Sequence, residues 1–144
     1  MVDEDESNPS GAPSRPMRPP VDRHYINRIH RRIKPDKKTT FITPDVDVGQ
    51  DLATIREGRA ERDGEYYRVH GRIWFHEEGG RVFPVSGEGL IGPVERGVIH
   101  ALRAYARYNG INDLAEYEIS MNNGISSADR EEARRIWELR EPRQ

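Results

Sequence analysis

Apolar residues fall at helical spacing in several windows of the chain, each with its own start or stop signal. Ile26, Ile29 and Ile33 form a narrow stripe in "RHYINRIHRRI", with Asp22 placed to cap a helix and Pro35 to end it. Val48, Leu52 and Ile55 form a second stripe, where Asp47 with Gln50 three residues on is a variant of the capping box and Gly58 suits the position after the helix. The strongest pattern is Val94, Val98, Ala101, Leu102, Tyr105 and Ala106, which predicts a helix over 93–109, opened by Pro93 and closed by Gly110. "INDLAEYEISM" reads either as a short helix on Leu114, Tyr117 and Met121 or as a strand at its end. A last helix is predicted in "SSADREEARRIWEL", capped by Ser126 or Ser127, with Ala133, Ile136, Trp137 and Arg140 along one side.

Between these windows the period changes to two. "TTFIT" is a short β-branched run closed by Pro44 and reads as an edge strand. The stretch 66–76, "YYRVHGRIWFH", has two readings. Run straight, it puts Tyr66, Arg68, His70, Arg72, Trp74 and His76 on one face. Turned at His70–Gly71, it becomes a hairpin with Tyr67, Val69, Arg72, Trp74 and His76 on one side and Tyr66, Arg68, Ile73 and Phe75 on the other. Both registers stay open on sequence grounds. "EEGG" then turns the chain into "RVFPV", whose Pro84 puts it at an edge or ends its pairing there, and "SGEGLIGP" is a glycine-rich connector into the strongest helix. The expected fold is α+β: a small antiparallel meander of about three strands packed against several α-helices.

Composition divides the chain. Its 144 residues suit one domain, and 34% hydrophobic against 33% charged leaves a core of moderate size. Residues 1–21 hold four consecutive acids and five prolines with almost nothing to bury, which predicts a disordered acidic, proline-rich tail ahead of a single compact domain at 22–144. That opening lacks the apolar run of a signal peptide, and no stretch approaches a membrane span, so a cytoplasmic protein without membrane contact is expected. Cysteine is absent, which excludes disulfide scaffolds and thiolate chemistry. The net charge of −2 conceals a segment, 15–38, with nine bases against two acids. Such a block is an electrostatic footprint for polyanions, although a solvated arm has the same composition.

The histidines bring chemistry to that footprint. In the straight register His70 and His76 share a face with Arg68 and Arg72, flanked by Tyr66 and Trp74. Arginine forks grip phosphate oxygens, flat rings stack on unpaired bases, and two histidines can pass a proton between the 2′-hydroxyl and the leaving oxygen of RNA. His70, His76, Arg68 and Arg72 are therefore the candidate catalytic set. Arg28, Arg31, Arg32, Lys37, Lys38, Tyr66, Trp74, Arg96, His100 and Arg103 are the candidate nucleic-acid contacts, the last three with Arg107 along one edge of the strongest helix. No metal site and no cofactor are expected. The Asp45-x-Asp47-x-Gly49 run fails as a calcium loop because Gln50 and Arg56 stand where its glycine and bidentate carboxylate belong. Gly87, Gly89 and Gly92 match a dinucleotide fingerprint literally, yet the preceding strand is edge-like rather than parallel.

These ingredients resemble those of small toxin ribonucleases, with no motif in common. The lead expectation is a small protein that engages RNA, with metal-independent cleavage as its enzymatic form and RNA or a cognate inhibitor as partner. The alternative is a non-enzymatic interaction or regulatory module. A nucleotide-dependent transferase, suggested by His24–Tyr25 and the glycine turn, is the weakest. The bland reading of 66–76 remains a solvated sheet face, where Arg, His, Tyr and Trp are all tolerated.

Overall fold

The structure, a computed structural model, describes residues 11–35 and 38–140. Among these it is α+β, with four α-helices and two antiparallel sheets of two and four strands. The larger sheet runs β2 (Glu61–Asp63), β3 (Tyr66–Val69), β4 (Arg72–His76), β5 (Val82–Gly87), and the smaller pairs β1 (Thr39–Ile42) with β6 (Leu90–Val94). The meander exceeds the expected three strands because two short segments read as turn chemistry. "ERD" before Asp63–Gly64 is entirely polar, and "LIGPV" hides behind its glycines and proline. Pro84 does lie in an edge strand, as its missing N–H requires.

Helix α1 (Val48–Arg56) forms where its cap predicts, since the Asp47 side chain accepts from the Gln50 N–H at 3.0 Å. Its inward residues Leu52 and Ile55 join Ile42, Tyr67, Val69, Trp74 and Val82 in one hydrophobic cluster between α1 and the four-stranded sheet. A second cluster surrounds α2 (Arg96–Arg107), which buries Val98, Ile99, Ala101, Leu102, Ala104 and Tyr105 against Phe41, Val94, α3 (Asp113–Ser120) and α4 (Ser127–Glu138). Full burial of each large side chain contributes about 1.5–3 kcal/mol. Gly97 sets how closely these helices meet, because a Cβ there would collide with the Asp129 carboxylate and the Gly124 carbonyl. Asp129 belongs to the capping box with Ser126 that starts α4.

Four boundaries differ from the sequence reading. Segment 22–33 is not an α-helix but two 3₁₀ turns, Asp22–His24 and Ile26–Arg28, followed by a further turn that the Ile33 N–H closes onto the His30 carbonyl at 3.1 Å. Ile26, Ile29 and Ile33 are buried in either geometry, so the stripe could not choose, and Asp22 pairs with Arg28 instead of capping. Pro93 lies inside β6, which runs to Val94, and α2 begins at Arg96 with Glu95 as its N-cap. At the other end Asn109 takes the left-handed position at φ +59°, and the Gly110 N–H closes onto the Tyr105 carbonyl at 2.8 Å, so the glycine sits one residue beyond its expected place. In α3 the buried side is Ala115 and Ile119, while Leu114, Tyr117 and Met121 point outward.

Of the expected tail, residues 1–10 lie outside the described residues, and residues 11–21 run beside the sheet. Arg18 exchanges backbone bonds with Gly80 and Val82, while Arg15 donates to the carbonyls of His76 and Glu77 and pairs with Glu65. Composition placed all of this segment outside the packed domain, because backbone pairing needs no apolar side chains. No helix among the described residues is long and apolar enough to cross a membrane.

Candidate nucleic-acid interface

The register question resolves at His70. Val69 pairs with Arg72, and His70 and Gly71 both adopt positive φ, +53° and +78°, as a two-residue type I′ turn demands. The straight face of six cations and rings is therefore not formed. The turned register holds instead, with Tyr67, Val69, Arg72, Trp74 and His76 inward and Tyr66, Arg68, Ile73 and Phe75 outward.

Inward, a carboxylate that the sequence reading missed gathers three of the candidates. Asp51 of α1 is fully buried, and its oxygens accept from His70 Nδ1 at 2.7 Å, Trp74 Nε1 at 2.8 Å, and Arg72 Nε and Nη2 at 2.8 and 3.0 Å. Burial pushes the Asp51 carboxyl upward, but these hydrogen bonds and the Arg72 charge outweigh it, and its pKa lies below the ordinary aspartate value. The same ion pair raises Arg72 further. Asp51 sits one position from Leu52 on the buried stripe of α1, and a carboxylate in such a place must find donors. The result is a clamp between α1 and the β3–β4 hairpin. The carboxylate also orients the His70 imidazole, which stays 42% exposed.

His76 lies apart from that clamp. It is fully buried at the far end of β4, and its Nε2 donates to the Pro16 carbonyl at 3.1 Å. The turn and the Pro16 contact hold the two histidines on separate jobs, with no common approach for a substrate in this conformation. Arg68 is exposed, faces the opposite side of the sheet and approaches Glu61 at 3.6 Å. The four residues proposed as catalytic thus occupy three different environments.

Outward, the sheet carries a row of rings. Tyr66 pairs with Phe75 and Phe75 with Phe83, giving direct cross-strand neighbours on β3, β4 and β5. Their ring centroids are 4.8 Å and 5.2 Å apart, and His24 stacks on Phe83 at 6.2 Å with 12° between planes. His24 is held by its Nδ1 donating to the Thr40 carbonyl at 3.0 Å. Burial lowers its pKa, the Thr40 bond opposes this and Arg23 adds to it, so the ring is biased toward its neutral form. The row lines a cleft of about 500 Å³ edged by Arg23, Lys38, Thr40 and Glu77. A hollow of about 420 Å³ shares Tyr66 and Val85 with that cleft and adds Arg62 and Arg68, with Glu61 and Asp63 beside them. Adjoining at Tyr66 and Val85, the two hollows outline a groove on the sheet, with the rings in the first and both cations and carboxylates at its edges. Of its parts, Tyr66, Arg68 and Lys38 were legible in the sequence as nucleic-acid or catalytic candidates and His24 only for nucleotide transfer; Phe75, Phe83 and Arg23 were not. Counting the outward set of the hairpin register would have supplied Phe75.

The remaining candidates are dispersed. Arg28 pairs with Asp22 and lies over the Tyr25 ring, and Lys38 approaches Glu95 at 3.4 Å. Arg31 lines a hollow with His30, Arg107 and Arg140, while the Arg32 N–H is taken by His30 Nδ1. Lys37 lies outside the described residues. Trp74, expected to stack a base, is fully buried with its N–H on Asp51. Arg96, His100 and Arg103 follow one edge of α2, with His100 and Arg103 opening into a cavity against α3. Among the described residues no group of three or more His, Asp or Glu is placed to hold a metal ion. No protein-family model, no curated protein and no solved structure matches this chain.

Proposed function

We propose that the chain engages single-stranded RNA through the sheet groove, laying bases on the Tyr66–Phe75–Phe83 row and holding the backbone with Arg68 at one end and Arg23 and Lys38 at the other. The observation that carries this reading is that three rings in cross-strand register line an open groove flanked by cations. Base–aromatic stacking is sequence-tolerant because every base has a π-face, and cations beside the rings follow the backbone. The groove is not uniformly basic, since Glu61, Asp63 and Glu77 also line it. Affinity then rests on stacking more than on charge.

The reading is one of binding. Cleavage by a His70–His76 pair would need both imidazoles at one phosphodiester, and His76 is sealed inside against Pro16. The test is fluorescence anisotropy of a labelled single-stranded oligoribonucleotide. Tyr66→Ala, at a side chain already half exposed, should weaken binding by about 1–3 kcal/mol, which is roughly 5- to 150-fold. Equal affinity for the parent, Tyr66→Ala and Phe83→Ala proteins would remove the proposal.

A further inference from the structure

The cavity between α2 and α3 lies outside the sheet groove and shares no lining residue with it. Its volume is about 260 Å³, and it is lined by His100, Arg103 and Arg107 of α2, Glu118 of α3, and Asn122 and Ile125 of the loop that follows. Polar groups converge on it with one bias. Glu118 is already committed, with one oxygen on Arg107 at 2.6 Å and the other on the Tyr108 hydroxyl at 3.0 Å. Asn122 uses its carbonyl oxygen to accept the Gly124 N–H at 2.8 Å, which leaves its amide N–H groups as donors.

Arg103 has its Nε shielded from solvent with no hydrogen-bond partner, and among the described residues no carboxylate pairs with it. Of the other arginines of the helical layer, Arg130 and Arg134 both close on Glu116, and Arg140, whose Nε is likewise unpartnered, lies over the Trp137 ring at 3.7 Å. A buried donor left unmet is uncommon, and a cation without a counter-charge beside it is more so. The cavity therefore offers donors and positive charge while its one carboxylate is spent.

We propose that this cavity is an oxyanion site, in which the Arg103 guanidinium, the His100 imidazole and the Asn122 amide take a phosphate-type group. The Arg103 fork supplies two donors to neighbouring oxygens, and its Nε–H gains the acceptor it lacks. The volume suits a single phosphate or phosphomonoester rather than a nucleotide. Phosphodiester oxygens of a nucleic acid present the same chemistry at the cavity mouth. The site stands independently of the groove reading, because it rests on different residues and a different layer.

Proton linkage follows from the surroundings of His100. Burial lowers its pKa, and the Arg103 and Arg96 charges lower it further. The other charged groups around it are Arg107 on its own helix, Glu118 from α3 and Asp129 from the start of α4, which lies against Gly97 one turn away. An anion seated between Arg103 and His100 opposes the two arginine charges and favours the imidazolium, so binding should draw a proton onto His100.

The experiment follows the His100 ring proton by NMR in the full chain across pH 5–8, with and without inorganic phosphate. Sulfate serves as a second probe, whose charge is constant over that range. The expected result is a His100 signal that shifts on adding either anion, with its titration moved to higher pH. Arg103→Gln should weaken the anion effect at least ten-fold. His100→Gln, followed by the anion-induced rise in melting temperature, covers the case in which the arginine variant does not fold. A single-stranded oligoribonucleotide forms the other arm. A His100 shift with inorganic phosphate that survives Tyr66→Ala assigns the site to a free phosphate group. A shift with the oligonucleotide alone assigns it to the phosphodiester backbone. A His100 titration unchanged by phosphate, sulfate and oligonucleotide overturns the proposal.

Discussion

Asp51 is the residue on which the hairpin depends. Four hydrogen bonds from His70, Arg72 and Trp74 end on one buried carboxylate, so its removal takes the acceptor from four donors on three side chains at once. Asp51→Ala should cost about 3–5 kcal/mol, the range for a buried pair broken from one side. Urea unfolding at neutral pH measures it, and a loss under about 1 kcal/mol would mean that water replaces the carboxylate freely. The pH dependence has a definite sign. Asp51 has its folded-state pKa below the ordinary value of about 3.9, so it binds fewer protons folded than unfolded. Its contribution is complete above that ordinary value and is lost as pH falls through the folded-state pKa. Asp51→Asn should therefore be less stable than the parent at pH 6, with the gap narrowing in acid. The sequence contained the signal for this, since Asp51 follows Val48 by three and precedes Ile55 by four on the stripe of α1. It could not supply the donors, which come from strands about twenty residues away.

At the scale of elements, the glycines decide the strand count. Three of them terminate or join strands of the large sheet at positive φ, in increasingly tight surroundings. Gly64, at φ +64°, has open space where a Cβ would project. Gly71, at φ +78°, would bring a Cβ to 3.2 Å from the Glu88 carboxylate, the movable end of a side chain. Gly87, at φ +124°, would drive one into the Gly71 carbonyl and the Arg72 Cα, which cannot yield without moving the turn. Alanine should cost about 1–2 kcal/mol at Gly64 from backbone conformation alone, somewhat more at Gly71, and most at Gly87. Denaturant midpoints of the three variants check the order, and a Gly87→Ala protein as stable as Gly64→Ala would refute the packing. The same glycines explain what the sequence could and could not show. α1 and α4 were legible because apolar period and caps agree in each, and α2 was legible from its apolar period while its expected start was not. β6 was not, because Gly92 and Pro93 read as a connector while Leu90, Ile91 and Val94 on either side of them pair with β1. The 66–76 register stayed undecided because His–Gly is a permitted I′ pair yet not a strong turn signal.

At the scale of the whole molecule, cations and rings are arranged in two places, and neither coincides with the single face that alternation by twos suggested. One turn reversed the side chains of half the stretch, which moved Trp74 and His76 into the interior and left Tyr66 and Arg68 outside with Phe75. The α2 edge was legible because a helix keeps its period regardless of its neighbours. The ring row was not, since Phe83 and His24 arrive from other elements. Salt separates the roles that the groove combines. If Arg23, Lys38 and Arg68 meet phosphates, about three counterions are displaced, and the logarithm of the binding constant for single-stranded RNA should fall with log salt at a slope of about −2. Arg68→Ala should reduce that slope by about 0.7, whereas Tyr66→Ala should weaken binding at every salt concentration and leave the slope unchanged. The Lys38–Glu95 and Arg68–Glu61 contacts do not prevent this, because exposed pairs of this kind contribute at most about 1 kcal/mol and exchange readily for phosphate. Anisotropy titrations between about 50 and 200 mM salt give the slopes. A flat response in the parent protein would remove the cations from the interface, and a slope altered by Tyr66→Ala would show that the rings position the backbone rather than the bases.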